Sequence, residues 1–367
     1  MGMITVKPLY LLCLITVAVL SGGTHACSDG TCQLLDPCSS DSDCASGLYC
    51  SSCDDIDLRC VRDQATNPFQ IVNGSLPFNK YSFLTTHNSY AIDDGTPRLT
   101  FTNQEDTITQ QLNNGVRGFM LDTYDFNGDV WLCHSTGGVC YDVTAFGPAI
   151  DTLKEIEAFL STNPTEIVTL ILEDYVHAPN GLTNVFTAAG LMKYWFPLSK
   201  MPKNGGDWPL VSEMVANNQR LLVFTSISSK EQTEGIAYEW NYIVENQYGD
   251  GGMDAGSCPN RAESSALNDL SKSLVLENFF RSIPVKLLSC GDNSDPLSEM
   301  IKTCYAAAGN RWANFLAVDF YKRSDGGGAF QDVDTLNGGL ICNCNDIHAC
   351  QPGATPQACN QSLEVHL

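Results

Sequence analysis

The run Glu166-Ile-Val-Thr-Leu-Ile-Leu-Glu173 constrains the fold of this chain more than any other segment. It is rich in β-branched and aliphatic residues and has no polar alternation, so as a strand it must be covered on both faces. Strands of that kind belong to parallel sheets sandwiched by helices. Arg220-Leu-Leu-Val-Phe-Thr225 and Phe315-Leu-Ala-Val-Asp-Phe320 are further runs of strand type. Before the first of these runs, Ala149, Leu153, Ile156 and Leu160 recur at helical spacing, and Asn163-Pro164 ends that helix. Further helical segments are expected around 181–192, 208–217 and 295–308. Repeated β-α units predict an α/β domain, either a barrel or a doubly wound sheet, and periodicity alone does not choose between them.

The start of the chain is of a different kind. Lys7, the apolar stretch Leu9 to Leu20 and the small residues of Thr24-His-Ala26 read as a secretory signal over residues 1–26. Residues 27–63 then form a Ser/Asp-rich segment with Cys27, Cys32, Cys38, Cys44, Cys50, Cys53 and Cys60. So few apolar residues cannot build a core there, and disulfides must replace it. Seven cysteines cannot all pair among themselves, so one is expected to bridge to the main domain at 64–367. Of the 17 cysteines in the chain, Cys13 lies in the signal, and the remaining 16 allow up to eight disulfides in an oxidising compartment. Asn73-Gly-Ser75 and Asn360-Gln-Ser362 are glycosylation sequons, which makes Asn73 and Asn360 the expected glycan sites. No later stretch is long and apolar enough to span a bilayer, so a secreted protein is expected. The net charge of −22, with no basic run, argues against nucleic acid and against polybasic adsorption to anionic membranes.

Polar residues stand at or near the ends of the strand-like runs. His87 closes Tyr81-Ser-Phe-Leu-Thr-Thr-His87 and is followed by Asn88. Asp122 ends Val116-Arg-Gly-Phe-Met-Leu-Asp122, and His134 closes Val130-Trp-Leu-Cys-His134. Glu173 and Asp319 end later runs. In a parallel barrel the C-terminal tips of the strands open onto one face, so these residues would converge. Two imidazoles suit acid and base work near neutral pH. Oxygen ligands from Asn88, Asp122 and Glu173 would suit a hard cation such as Ca²⁺, and Asp319 would hold His87 in one tautomer. Strand-end acids also commonly cap the next helix, which is the bland alternative for Asp122, Glu173 and Asp319. Zinc is disfavoured, because the histidines lack ligand spacing and Cys133 and Cys140 read as a disulfide across a loop. No Gly-x-Ser-x-Gly elbow, P-loop or dinucleotide fingerprint is present.

Thr86-His-Asn-Ser-Tyr90, Gly115-Val-Arg-Gly-Phe-Met-Leu-Asp122, Leu132-Cys-His-Ser135 and Ile171-Leu-Glu173 together resemble the X-box of phosphatidylinositol-specific phospholipases C. With its cysteine-rich start, the chain is similar to the secreted plant-type X-domain proteins of that superfamily. The resemblance implies a distorted TIM (β/α)8 barrel with an N-terminal disulfide-rich segment. It implies cleavage of a phosphodiester by attack of an inositol 2-hydroxyl, with His87 on the nucleophile's side and His134 at the leaving group. It also implies Ca²⁺ on Asn88, Asp122 and Glu173, although a further carboxylate of that pattern falls on Met120, which should weaken the site. The arginine that bacterial members use instead falls on Asp122. Arg117 reads as structural. Lys322 and Arg323 are candidate phosphate-binding residues.

A phosphoric diester hydrolase or lyase is therefore expected, acting on a phosphoinositide or another phosphodiester with at most transient membrane contact. A glycerophosphodiester phosphodiesterase-like enzyme is the alternative chemistry. A catalytically weak barrel serving as a binding module is the alternative of another class. Oligomeric state is not legible.

Overall fold

The computed structural model of the protein describes residues 27–53, 57–353 and 358–360. The expected signal segment, the end of the second sequon and the C-terminal residues 361–367 lie outside the described residues. Strands β1 (Leu48–Ser51) and β2 (Arg59–Arg62) pair antiparallel in a small sheet of their own. Disulfides Cys27–Cys32, Cys38–Cys50 and Cys44–Cys60 staple this segment, and the buried Cys32, Cys38, Cys44 and Cys60 form its centre. The seventh cysteine, Cys53, is bonded to Cys290 in the main domain. Arg62 adds ion pairs to Asp334 and Asp346, each at 2.9 Å.

The main sheet comprises β3 (Phe83–Thr86), β4 (Gly118–Phe126), β5 (Asp129–Cys133), β6 (Ala145–Pro148), β7 (Val168–Tyr175), β8 (Leu221–Thr225), β9 (Ala237–Tyr238), β10 (Ile243–Glu245), β11 (Leu274–Phe279) and β12 (Phe315–Val318). Eight of them run parallel in the order β10-β11-β12-β3-β4-β7-β8-β9 and curl into a distorted TIM barrel. No ladder joins the two ends of that path, β9 and β10, among the described residues.

Alternation along each strand sorts side chains between two cores. On β12, Phe315 and Ala317 face the barrel interior with Phe83, Leu222, Phe224 and Leu276. Leu316 and Val318 face the helices, against Leu153, Ile156, Leu160, Leu297 and Leu336. Aromatic rings of Phe78, Phe83, Trp208 and Phe315 plug the lower interior. Each such buried side chain contributes about 2 kcal/mol by burial, and the plug leaves only the upper end of the barrel open for a site. Gly118 is required where β4 meets β3, because a Cβ there would lie 2.2 Å from Thr85 Oγ1.

Helices Ala149–Thr162, Gly181–Ala188, Val211–Ala216 and Asp295–Ala307 fall in the segments where periodicity predicts them. The expected helix over 181–192 breaks at Gly190, whose φ of +78° leads into the 3-10 turn Leu191–Tyr194. One expectation needs correction. The strand that carries His134 is not a parallel barrel strand: β5 pairs antiparallel with β4 and β6. The cause is Asn127-Gly128, with φ of +51° and +78°, a left-handed pair that folds β4 directly back into β5. His134 therefore enters from a hairpin folded over the barrel rim, whose loop is closed by Cys133–Cys140. No helix among the described residues is long and apolar enough to cross a membrane.

Candidate active site

A cavity of about 240 Å³ opens at the C-terminal end of the parallel strands and is lined by His87, Asn88, Met120, Asp122, His134 and Glu173, among others. The sequence-predicted imidazoles and oxygen ligands thus meet in one place.

His87 follows β3, and its Nδ1 lies 3.0 Å from Asp319 Oδ1 at the end of β12, the neighbouring strand. Asn103 Nδ2 donates to the same Asp319 oxygen at 3.0 Å. Gln104 Nε2 ties the two strand tips together by donating to the carbonyls of His87 (2.9 Å) and Val318 (3.0 Å). The ring of Phe280 stacks on His87 at 3.6 Å with the planes 6° apart. An imidazole clamped on its edge and its face presents Nε2 to the cavity in one direction. The next residues on both tips, Asn88 (φ +42°) and Phe320 (φ +46°), are left-handed. For a residue with a side chain that conformation costs on the order of 1 kcal/mol, and such strain clusters at functional sites.

His134 Nδ1 lies 3.0 Å from the carbonyl oxygen of Phe101, and the proton it donates there leaves Nε2 as the free ring nitrogen. Burial pulls its pKa below the ordinary histidine value, and the nearby His87 adds to the effect.

Asp122 and Glu173 occupy matching positions on β4 and β7. Burial and then the charge of Glu173 push the Asp122 carboxyl well above its ordinary range, while Arg261 opposes this. Tyr175 donates its phenol to Glu173 Oε1 and stacks on Tyr124. The Asn88 amide lies between Asp122 and His87, with its nitrogen donating to Asp122 at 3.1 Å and its oxygen 3.2 Å from His87 Nε2. The side-chain oxygens of Asn88, Asp122 and Glu173 line one cavity and are of the hard type that Ca²⁺ takes. Met120 lines the same cavity with a thioether, which is not a hard-cation ligand.

Lys322 and Arg323 lie elsewhere. They line a separate cleft against the cysteine-rich segment, where Asp106 holds Lys322 at 3.0 Å and Glu105 holds Arg323 at 2.7 Å. Their charge is neutralised by these partners. Arg117 pairs with Glu166 at 2.8 Å at the opposite end of the strands. Asn73 is exposed at the end of a short helix, and Asn360 is described without the rest of its sequon.

Several site residues carry no motif. Glu239, just after β9, lines the cavity and is buried, and its Oε1 has no hydrogen-bond partner among the described residues. Burial and the charge of Glu245 raise its pKa. Arg261, from the long loop after β10, reaches the same wall. Its Nη1 donates to Glu245 at 3.1 Å and its Nε to Glu263 at 3.1 Å. Its guanidinium lies 5.3 Å from the Trp240 ring centroid and 4.8 Å from that of Tyr248. Trp240 Nε1 donates to Glu245 at 3.0 Å. Arg281 lines the cavity from the loop after β11.

The chain is similar to several known proteins. The family model described as PI-PLC X 1 matches residues 75–337. A PI-PLC X domain-containing protein of Arabidopsis thaliana is similar at 58% identity over 344 residues, 92% of this chain and 80% of that protein. An uncharacterized secreted protein of the fungus Arthroderma benhamiae is 27% identical over 276 residues, 69% of this chain and 60% of its own length. Among solved structures, the phosphatidylinositol-specific phospholipase C of Listeria monocytogenes superposes with a TM-score of 0.48 at 13% identity, over 74% of this chain and 97% of that one.

Proposed function

The chain belongs to the PI-PLC X-domain family, and from that premise we propose that it is a secreted phosphodiesterase cleaving phosphatidylinositol or a closely related phosphodiester by paired histidine catalysis. The observation that carries this reading is the convergence of the Asp319-held His87 and of His134 on one cavity with three oxygen-bearing side chains.

In this reading His87 Nε2 takes the proton of the ring 2-hydroxyl as its oxygen bonds to phosphorus. The phosphorus–oxygen bond to the glycerol then breaks, and His134 Nε2, in its protonated form, gives a proton to the departing oxygen. The nucleophile belongs to the substrate itself, so proximity supplies much of the rate. Asp319 stabilises the imidazolium that forms on His87. Asn88, Asp122 and Glu173 would hold a Ca²⁺ ion, which when bound would supply a Lewis acid for charge on the phosphoryl oxygens. Glu239 and Arg261 line the wall where head-group hydroxyls would be read.

A lipid substrate is favoured over a soluble one by the loops around the mouth. Leu99, Phe101, Val139, Tyr141, Ile283 and Leu287 are exposed there, on segments that follow the strand ends. Apolar side chains projecting around a site suit transient contact with a lipid surface, and the acidic net charge makes that contact hydrophobic rather than electrostatic. Secretion is supported by the signal-like residues 1–26 and by the disulfides.

Phosphorus NMR of the protein with phosphatidylinositol vesicles, in calcium and then in chelator, tests the reading. A cyclic inositol phosphate resonance that disappears in chelator is the expected result. Persistence in chelator would remove the metal from the proposal, and absence of product in both buffers would overturn the activity.

A further inference from the structure

Among the described residues the cysteine-rich segment shares no strand with the barrel, and it is stapled internally by three disulfides. Its fourth, Cys53–Cys290, joins residues 237 apart in sequence. A staple between two bodies that each have their own core is informative for where it lands. Cys290 lies in the helical turn Ser289–Asp292, between the loop after β11 and the helix Asp295–Ala307.

That turn contacts the site at two points. Asp292 binds Arg281 in a two-pronged ion pair, with both contacts at 2.6 Å, and Arg281 lines the cavity. Asn293, buried at 2% exposure, donates from Nδ2 to the backbone carbonyl of Asp319 at 3.0 Å and to that of Phe320 at 3.4 Å. These two carbonyls flank the left-handed Phe320. Phe320 in turn donates its backbone N–H to the carbonyl of Asn103 at 2.8 Å, and the Asn103 amide holds the Asp319 carboxylate. Asp319 is thereby held at its carbonyl by Asn293 and at its carboxylate by Asn103. The carbonyl of Cys290 itself accepts from the Asp325 N–H at 3.1 Å and from Ser294 Oγ at 2.7 Å, which fastens the segment after Phe320 to the same turn.

We infer that the N-terminal cysteine-rich segment is a positioning element for the His87–Asp319 pair, acting through the Cys53–Cys290 disulfide and Asn293. A left-handed, non-glycine residue next to a catalytic carboxylate persists only where its surroundings over-determine it. Here the over-determination is supplied by hydrogen bonds from a short turn, and a covalent bond to a separate folded unit fixes that turn. Cys290 and Asn293 touch no substrate; they act through Asp319.

The inference rests on the phosphodiesterase reading for its kinetic consequence but not for its structural one, and the test uses both. Cys53→Ser/Cys290→Ser and Asn293→Ala are compared with the wild-type chain by three measurements. These are thermal unfolding, turnover of phosphatidylinositol, and the downfield proton resonance of the His87 Nδ1–H facing Asp319. Both variants are expected to move that resonance upfield or broaden it by exchange. Both are also expected to lower kcat about tenfold with little change in KM, as a small misplacement of a catalytic group does. A resonance and a kcat like those of the wild type, with only a lower melting temperature, would reduce the bridge to a staple and overturn the inference. If the double cysteine variant does not fold, Asn293→Ala decides, since it keeps the disulfide. If the wild-type protein turns over no phosphodiester, the proposed function fails, and the proton resonance alone judges the positioning role.

Discussion

Asp122 and Glu173 sit directly across from each other on the parallel strands β4 and β7, so their carboxylates share one face with no residue between them. Like charges so placed and partly desolvated repel, and the Asp122 carboxyl responds by holding its proton more tightly. A divalent cation would remove the repulsion. Calcium is therefore expected to raise the melting temperature, with a stabilisation of about 2.7 kcal/mol once its concentration reaches roughly one hundred times Kd. Asp122→Asn and Glu173→Gln should each abolish most of that shift in a calorimetric titration. Met120→Asp should strengthen it by adding an oxygen ligand. Melting curves that ignore calcium in the wild type would remove the metal.

Asp319→Asn keeps the volume of the side chain but removes the charge that stabilises an imidazolium on His87. By analogy with other carboxylate–histidine pairs, kcat should fall roughly 10²–10⁴-fold. The folded state should persist, because Asn293 and Asn103 still hold the segment. Single-turnover kinetics together with circular dichroism check both halves.

The alkaline side of the pH–rate profile belongs to His134. As the acid at the leaving group it must be protonated, and its pKa is lowered by burial. The protonated fraction therefore shrinks as pH rises through a value below the ordinary histidine range. Activity should be highest on the acid side of neutrality and fall toward pH 8, and His134→Ala should remove activity across the range. A profile still rising at pH 8 would exclude His134 as the acid.

Stability carries its own pH signature, away from the site. Glu277 on β11 and Asp332 on the helix Ala329–Cys342 are buried acids, and each has an oxygen without a hydrogen-bond partner among the described residues. Burial, and then the charge of Asp332, raises Glu277 to about 8, while burial raises Asp332 to about 7. Acids whose folded pKa is raised bind more protons folded than unfolded, so stability is fully present near pH 4 and is lost as pH climbs through 7 and 8. Glu277→Gln should flatten this slope and stabilise the protein at pH 8 by at least about 1 kcal/mol. Calorimetry from pH 5 to 8.5 measures it.

Strands β7, β8 and β12 were legible because they are buried on both faces and therefore show unbroken apolar runs, whereas the short β9 and β10 and the order of the sheet were not. The direction of β5 was not inferred from Val130-Trp-Leu-Cys133, because alternation says nothing of a strand's partner. Asn127-Gly128, two residues with a strong hairpin preference, carried that information. His87, Asn88, Asp122, His134, Glu173 and Asp319 could be found because they end or interrupt such runs. Glu239, Arg261, Asn103 and Asn293 could not, since they arrive from irregular segments where no period places a side chain. Lys322 and Arg323 looked available in the sequence because their partners, Asp106 and Glu105, lie more than two hundred residues away along the chain.

The absence of a ladder between β9 and β10 among the described residues sets this barrel apart from a closed one. A sheet bonded all the way round is a hoop whose girth is fixed by its strands. In this sheet, among the described residues, the gap is spanned by the connector 239–242, and a clasp of side chains, Trp240 and Arg261 on Glu245, fastens that connector to the end of β10. A shift of that clasp would break no strand-to-strand hydrogen bond, so any give in the mouth is expected on the flank beside Glu239. The arc of paired strands opposite carries His87 and Asp319 at its tips, and His134 reaches the cavity from the hairpin folded over that arc. Head groups of different breadth would be accommodated at the clasp, and the reacting phosphorus would stay where the arc puts it.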